Sequence, residues 1–240
     1  MPAASPVPPR VQTLFAAWGL DFAPATTRAF ARYVAELHAW NQRFNLTAWR
    51  TPEDIWLHLV ADALALLPVY DLPSGSRWAD VGSGAGIPGV PLHLARPHSP
   101  FTLIEAAQKK ARFLEHLRTA LPAPGLTVLA RRAEEVGRDP AHREAYDGAV
   151  ARAVAPLPTL LEYMLPLVRV GGVAVAYKGQ RAAQEVEAAA RALEVLGGRV
   201  QRVVPVPELP YPRYLVFIEK IRPTPPAYPR RPGRAQKRPL

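Results

Sequence analysis

Apolar positions recur along this chain with two different periods, and the switch between them divides it. From Val11 to Leu66 the spacing is helical, with Val11–Leu20 and Ala25–Phe44 reading as helices. In the second, Phe30, Tyr33, Val34, Leu37 and Trp40 share one face. That stripe suits packing against a core better than a platform for bases. Asn45-Leu46-Thr47 interrupts the period. Thr51 then caps a new helix, with Pro52 at its first position and Asp54 completing a capping box. Ile55, Leu59, Ala63 and Leu66 supply its apolar face, and Pro68 closes it.

Beyond Arg77 short apolar runs alternate with helical segments. Trp78–Val81, Phe101–Ile104, Leu126–Ala130, Gly148–Ala151 and Val173–Tyr177 are of strand type; Ile87–Ala95, Ala107–Leu121, Thr159–Val168 and Gln180–Leu196 are of helix type. This alternation predicts a doubly wound α/β sheet. Gln201–Val206 and Arg213–Glu219 follow with no room for a crossover helix between them, so they pair antiparallel. The predicted organisation is a helical extension over 1–72, an α/β domain over 73–221, and a Pro/Arg-rich tail over 222–240. The tail lacks periodicity and is expected to be disordered.

The first strand runs into Asp80-Val81-Gly82-Ser83-Gly84-Ala85-Gly86-Ile87-Pro88-Gly89. Glycines there let a backbone approach a ligand, and the following helix aims its N-terminus at it. Two ligand classes fit. Gly84 to Gly89 matches the dinucleotide pattern G-x-G-x-x-G. Asp80 to Gly86 matches the acidic-x-G-x-G-x-G loop of S-adenosylmethionine sites. A carboxylate at the strand end repels a pyrophosphate and attracts an ammonium and a sulfonium, which favours the second. Glu105 ends the next strand, where a carboxylate can accept both ribose hydroxyls of either ligand. Ala133 and Glu134 border the adenine position after the third strand. Arg152 and Lys178, at the ends of the fourth and fifth strands, form a cationic rim suited to an entering phosphate backbone.

Charge and composition narrow the partners. The formal net charge is +10, and six basic residues with no acid lie in 222–240. A basic chain of this kind most often meets nucleic acid. The absence of cysteine excludes disulfides and thiol nucleophiles. No metal-ligand cluster, membrane span or signal peptide is evident, so a cytoplasmic protein without metal follows. The histidines are scattered; His58 alone lies near the expected pocket wall, where packing suits it better than catalysis. Methyl transfer to a ring nitrogen with a free lone pair needs no base. The rival readings are an NAD-type oxidoreductase and a non-catalytic RNA-binding or assembly protein.

Taken in order, Asn45-Leu46-Thr47, the helix around His58 and Asp62, the glycine loop, Arg132-Ala133-Glu134-Glu135, Arg152-Ala153 and Tyr177-Lys178-Gly179 closely resemble the small-subunit ribosomal RNA guanine-N7 methyltransferase G family, also called glucose-inhibited division protein B. The resemblance runs from about Trp40 to Lys220. It implies a Rossmann-like methyltransferase with a mostly parallel seven-stranded sheet, S-adenosylmethionine as donor, and N7 of a guanine in the decoding-region loop of 16S rRNA as acceptor. It places Gly82, Ile87, Glu105, Ala106, Ala107, Ala133, Glu134 and Arg152 at the donor, beside Asp80, Gly84 and Gly86 of the loop. Arg132, Lys178, Arg213 and, from the tail's charge, Arg230 and Arg231 are expected at the RNA. Arg152 or Lys178 would hold O6 of the base or an adjacent phosphate. The partner is 16S rRNA or the small ribosomal subunit, and the expected state is a monomer.

Overall fold

The computed structural model describes residues 6–240; Met1–Ser5, part of the Pro-rich start, lie outside the described residues. The sheet has the order β3-β2-β1-β4-β5-β7-β6. Its strands are β1 Trp78–Val81, β2 Phe101–Ile104, β3 Leu126–Leu129, β4 Tyr146–Arg152, β5 Val168–Lys178, β6 Gly198–Pro205 and β7 Tyr214–Lys220. Strands β1 to β5 pair in parallel, while β7 runs antiparallel to both neighbours. The expected parallel core with its antiparallel pair is therefore present.

The strands sort their side chains by the period of two. Trp78, Val150, Val175, Tyr177, Leu215 and Phe217 enter one core, and Ala79, Ala149, Ala151, Ala174, Ala176, Val216 and Ile218 enter the other. The first face carries bulky residues and meets α2 (Pro24–Phe44), α5 (Gly89–Ala95) and α6 (Gln108–Ala120). The second is built largely of alanines, which lets the leucines of α8 (Leu157–Met164) come close. The N-terminal helices are thus part of one face of the sheet. Phe30, Tyr33, Val34 and Leu37 are fully buried, as a packing stripe requires.

Thr51 accepts a hydrogen bond from Asp54 N–H at 3.1 Å, as the capping box predicts. The helix it starts is not uniform. After α3 (Pro52–Ile55) the backbone widens into a π-helix over Trp56–Ala61 before α4 (Asp62–Leu64). Periodicity does not distinguish this widening from a plain helix. The segment expected as one helix from Gln180 is two, α9 (Ala182–Ala188) and α10 (Ala190–Leu196).

The tail corrects an expectation. It is not disordered but packed on the body, although it has almost no periodic structure. Arg143 donates to the carbonyls of Thr224 at 2.6 Å and Tyr228 at 2.8 Å, and Arg138 donates to that of Pro229 at 2.6 Å. Glu144 accepts from Thr224 N–H, Glu162 from Arg230 N–H and Glu134 from Gly233 N–H. Ala235, in the one-turn α11 (Arg234–Lys237), is buried. Side chains of the body thus satisfy the tail's backbone groups, and its prolines lower the entropy lost on ordering.

Candidate active site

The carboxyl ends of the parallel strands converge on a cavity of about 310 Å³. Its floor is Val81, Gly82 and Ile104; Glu105 and Ala106 form one side and Ala153, Val154 and Ala155 another. Arg132, Ala133 and Glu134 stand at the third strand end, and Tyr163, Gly233 and Gln236 complete the wall.

Gly82 has φ +70°, and a Cβ there would lie 2.7 Å from Val154 Cγ2. Only glycine lets the loop turn at this point without filling the cradle. Gly84 N–H donates to Glu105 Oε2 at 2.8 Å, and Ala107 N–H to Glu105 Oε1 at 2.7 Å. Glu105 is thereby aimed along the cavity, and each oxygen keeps a second lone pair for a ligand hydroxyl. Glu134 is buried, with Oε1 accepting from Gly233 N–H at 2.9 Å. Ala153 sits in the left-handed region at φ 56°, a strained conformation that turns the chain out of β4 along the cavity wall.

Asp80 departs from its expected place. It is fully buried, does not line the cavity, and accepts from Gly89 N–H at 3.0 Å. Gly89 must be glycine because a Cβ would lie 2.7 Å from Asp80 Oδ2. Burial pushes the Asp80 carboxyl up to about 7, against the Gly89 N–H that lowers it. Asp80 therefore ties the loop to the helix behind it, and it lies beneath the cavity lining, not at its lip. Gly84, Gly86, Ile87 and Ala107 also lie outside the cavity lining and shape the loop around it.

The cationic rim is likewise corrected. Lys178, 7% exposed, donates to Glu185 Oε2 and to the Ala155 carbonyl, both at 2.7 Å. Burial lowers its pKa, opposed by Glu185. Arg152 donates to the His58 carbonyl at 2.7 Å and lies 2.8 Å from Asp62 Oδ2. Arg213 pairs with Asp62 Oδ1 at 2.6 Å, and Arg230 clasps Glu162. These four cations each have an acidic partner within the protein. Arg132 and Arg231 are exposed as expected.

Asp62, fully buried, is the centre of a second constellation. Around it lie Arg152, Arg213 and a ring stack in which Trp49 faces His58 at 3.6 Å and His58 faces Tyr211 at 4.9 Å. Burial lowers the His58 pKa, so packing suits it, as the sequence suggests. Asn41 holds the loop carrying Trp49: its amide donates to the Trp49 carbonyl and its Oδ1 accepts from Thr47 N–H, both at 2.9 Å. The cavity residues Lys110, Arg131, Val154, Ala155, Tyr163, Gly233 and Gln236 were not foreseen. For the first four the only sequence signal was proximity to strand ends, and for Tyr163, Gly233 and Gln236 there was none.

A glycine cradle closed by a carboxylate at the second strand end, on a sheet whose sole reversed strand is the last, is the architecture of the Rossmann-like S-adenosylmethionine-dependent methyltransferases. Solved structures share the architecture. A SAM-dependent methyltransferase from Aquifex aeolicus superposes with a TM-score of 0.55 at 18% identity, covering 71% of this chain and 94% of that one. The 16S rRNA (adenine(1408)-N(1))-methyltransferase from Catenulisporales acidiphilia does so at 0.51 and 17%, over 69% and 91%. The family model GidB, rRNA small subunit methyltransferase G, matches residues 26–209. Proteins named ribosomal RNA small subunit methyltransferase G are similar to this chain over nearly its whole length. That of Roseiflexus sp. (strain RS-1) is 50% identical, covering 93% of this chain and 96% of its own. That of Deinococcus radiodurans is 43% identical, over 92% and 88%. The chain belongs to the rRNA small subunit methyltransferase G family.

Proposed function

We propose that this protein methylates N7 of a guanine in 16S rRNA, in the decoding-region loop of the small ribosomal subunit, and does so in the cytoplasm. The donor, S-adenosylmethionine, supplies an electrophilic methyl group. The residues present fit it: Gly82 keeps the cradle open, Glu105 would accept the ribose hydroxyls through its unused lone pairs, and Ala133 with Glu134 would border the adenine. Tyr163 and Gln236 add polar groups at that end.

The observation that supports the acceptor assignment is membership of the rRNA small subunit methyltransferase G family over nearly the whole chain. Guanine N7 offers its lone pair without losing a proton, so alignment and exclusion of water suffice. Arg152 and Lys178 act here as positioning residues. Lys178 holds the Ala155 carbonyl, and Arg152 ties the fourth strand end to Asp62 and the aromatic stack. Arg132, exposed at the mouth, is a cation available to meet RNA.

The test is a mass-spectrometric map of small-subunit rRNA incubated with the protein and labelled donor. The expected result is a single 7-methylguanine. Methylation at an exocyclic nitrogen or at a ribose hydroxyl would refute the assignment, because those acceptors must lose a proton.

A further inference from the structure

Behind the donor cavity the tail builds a second, smaller hollow of about 250 Å³ whose whole lining is Arg138, Arg230, Arg231 and Arg234. We propose that it is a phosphodiester-binding subsite for the RNA substrate, gripping the backbone of a nucleotide that flanks the acceptor base.

The charges here are sorted by depth. Glu134, Glu144 and Glu162 turn inward and bind tail backbone N–H groups, and Glu162 also neutralises Arg230. Arg138 spends one N–H on the neutral Pro229 carbonyl and keeps its full charge. Among the described residues no acid pairs with Arg138, Arg231 or Arg234. Three arginines without an acidic partner therefore line one hollow, largely with their aliphatic stems. Such a like-charged group is costly until an anion enters, and the guanidinium fork suits phosphate oxygens. The tail's position does not depend on Arg231 or Arg234, because bonds to Glu134, Glu144 and Glu162, and from Arg138 and Arg143, hold it.

The lining excludes a lipid surface, since it holds no apolar side chain to enter an interface. Its place favours RNA. The one-turn α11 and the glycine before it touch both cavities: Gly233 and Gln236 face the donor cavity and Arg234 faces the arginine hollow. A phosphate held there is separated from the donor cavity by α11, and so belongs to a nucleotide other than the acceptor. The hollow contributes to RNA affinity and leaves the chemical step alone.

The inference rests on ribosomal RNA being the substrate. The experiment compares the wild type with Arg231→Ala/Arg234→Ala and Arg231→Lys/Arg234→Lys, in the full chain. Kd for small-subunit rRNA is measured over a range of salt concentrations, together with KM, kcat and affinity for S-adenosylhomocysteine. The alanine pair is expected to raise KM about tenfold with kcat within about twofold. Its log–log salt slope should become shallower by about 0.7 for each lost single-strand phosphate contact. The lysine pair is expected to keep the slope. An unchanged slope and KM in the alanine pair overturns the inference. So does an equal loss in the lysine pair, or lost donor affinity with RNA binding intact, since either assigns these arginines to the tail's shape. No methyl transfer by the wild type would instead end the rRNA reading itself.

Discussion

Replacing Asp62 by asparagine tests whether the second constellation is a structural knot. The side chain is fully buried, and its oxygens face Arg213 at 2.6 Å and Arg152 at 2.8 Å. Both arginine side chains are themselves largely covered, at 14% and 13% exposure. Asparagine keeps the shape and one acceptor but leaves two cations facing each other without an anion. Removing one partner of a buried pair costs about 3–5 kcal/mol, and sharing between two partners puts Asp62→Asn at the upper end. For a chain of this length that is a fall in Tm on the order of 10 °C. Urea unfolding gives the free energy, and calorimetric titration with S-adenosylhomocysteine reports the donor site. Stability is expected to fall by the stated amount, donor affinity by less than about threefold, and methyl transfer by more than either accounts for, because Arg152 and the Trp49–His58–Tyr211 stack lose their anchor. A stability loss below about 1 kcal/mol would refute the reasoning, since it would mean that solvent already screens both pairs.

Three further outcomes follow from the geometry. Gly82→Ala adds about 1–2 kcal/mol of left-handed backbone strain and about 1–3 kcal/mol of overlap with Val154; donor affinity should drop at least about tenfold by titration, and full affinity would show that the loop relaxes freely. Asp80, raised to about 7 by burial, holds a proton in the folded state that the unfolded chain has released above its ordinary value of 3.8. Its contribution is therefore most favourable in acid and is lost as pH rises toward 7, with a slope of at most about 1.4 kcal/mol per pH unit. Asp80→Asn should flatten urea midpoints measured between pH 4.5 and 8, and curves parallel to the wild type would contradict this. Lys178→Ala removes the bond to the Ala155 carbonyl and leaves Glu185 with only the Leu157 N–H, costing about 1–3 kcal/mol. It should weaken donor binding as well as turnover; lost turnover with unaltered donor affinity would instead favour direct contact with RNA.

Sequence periodicity alone determined the strands, their class and the helices between them. The reason is local: side chains alternate along a strand and recur every 3.6 residues along a helix, so the burial pattern is written in nearest neighbours. The glycine loop and Glu105 were legible for a similar reason, because a ligand that approaches backbone requires a missing Cβ at a fixed distance from a strand end. Tertiary structure alone decided which charges are free. Asp62 meets Arg152 and Arg213 across 90 and 151 positions of chain, and nothing local marks those arginines as spent. Asp80 looked like a ligand group because its depth, set by Gly89 and the helix behind it, is not written in its neighbours. The tail went furthest astray, since Pro/Arg-rich composition reports only that a segment has no core of its own. Its order comes from glutamates and arginines of the body that bind its backbone, and such partners are invisible until the chain has folded.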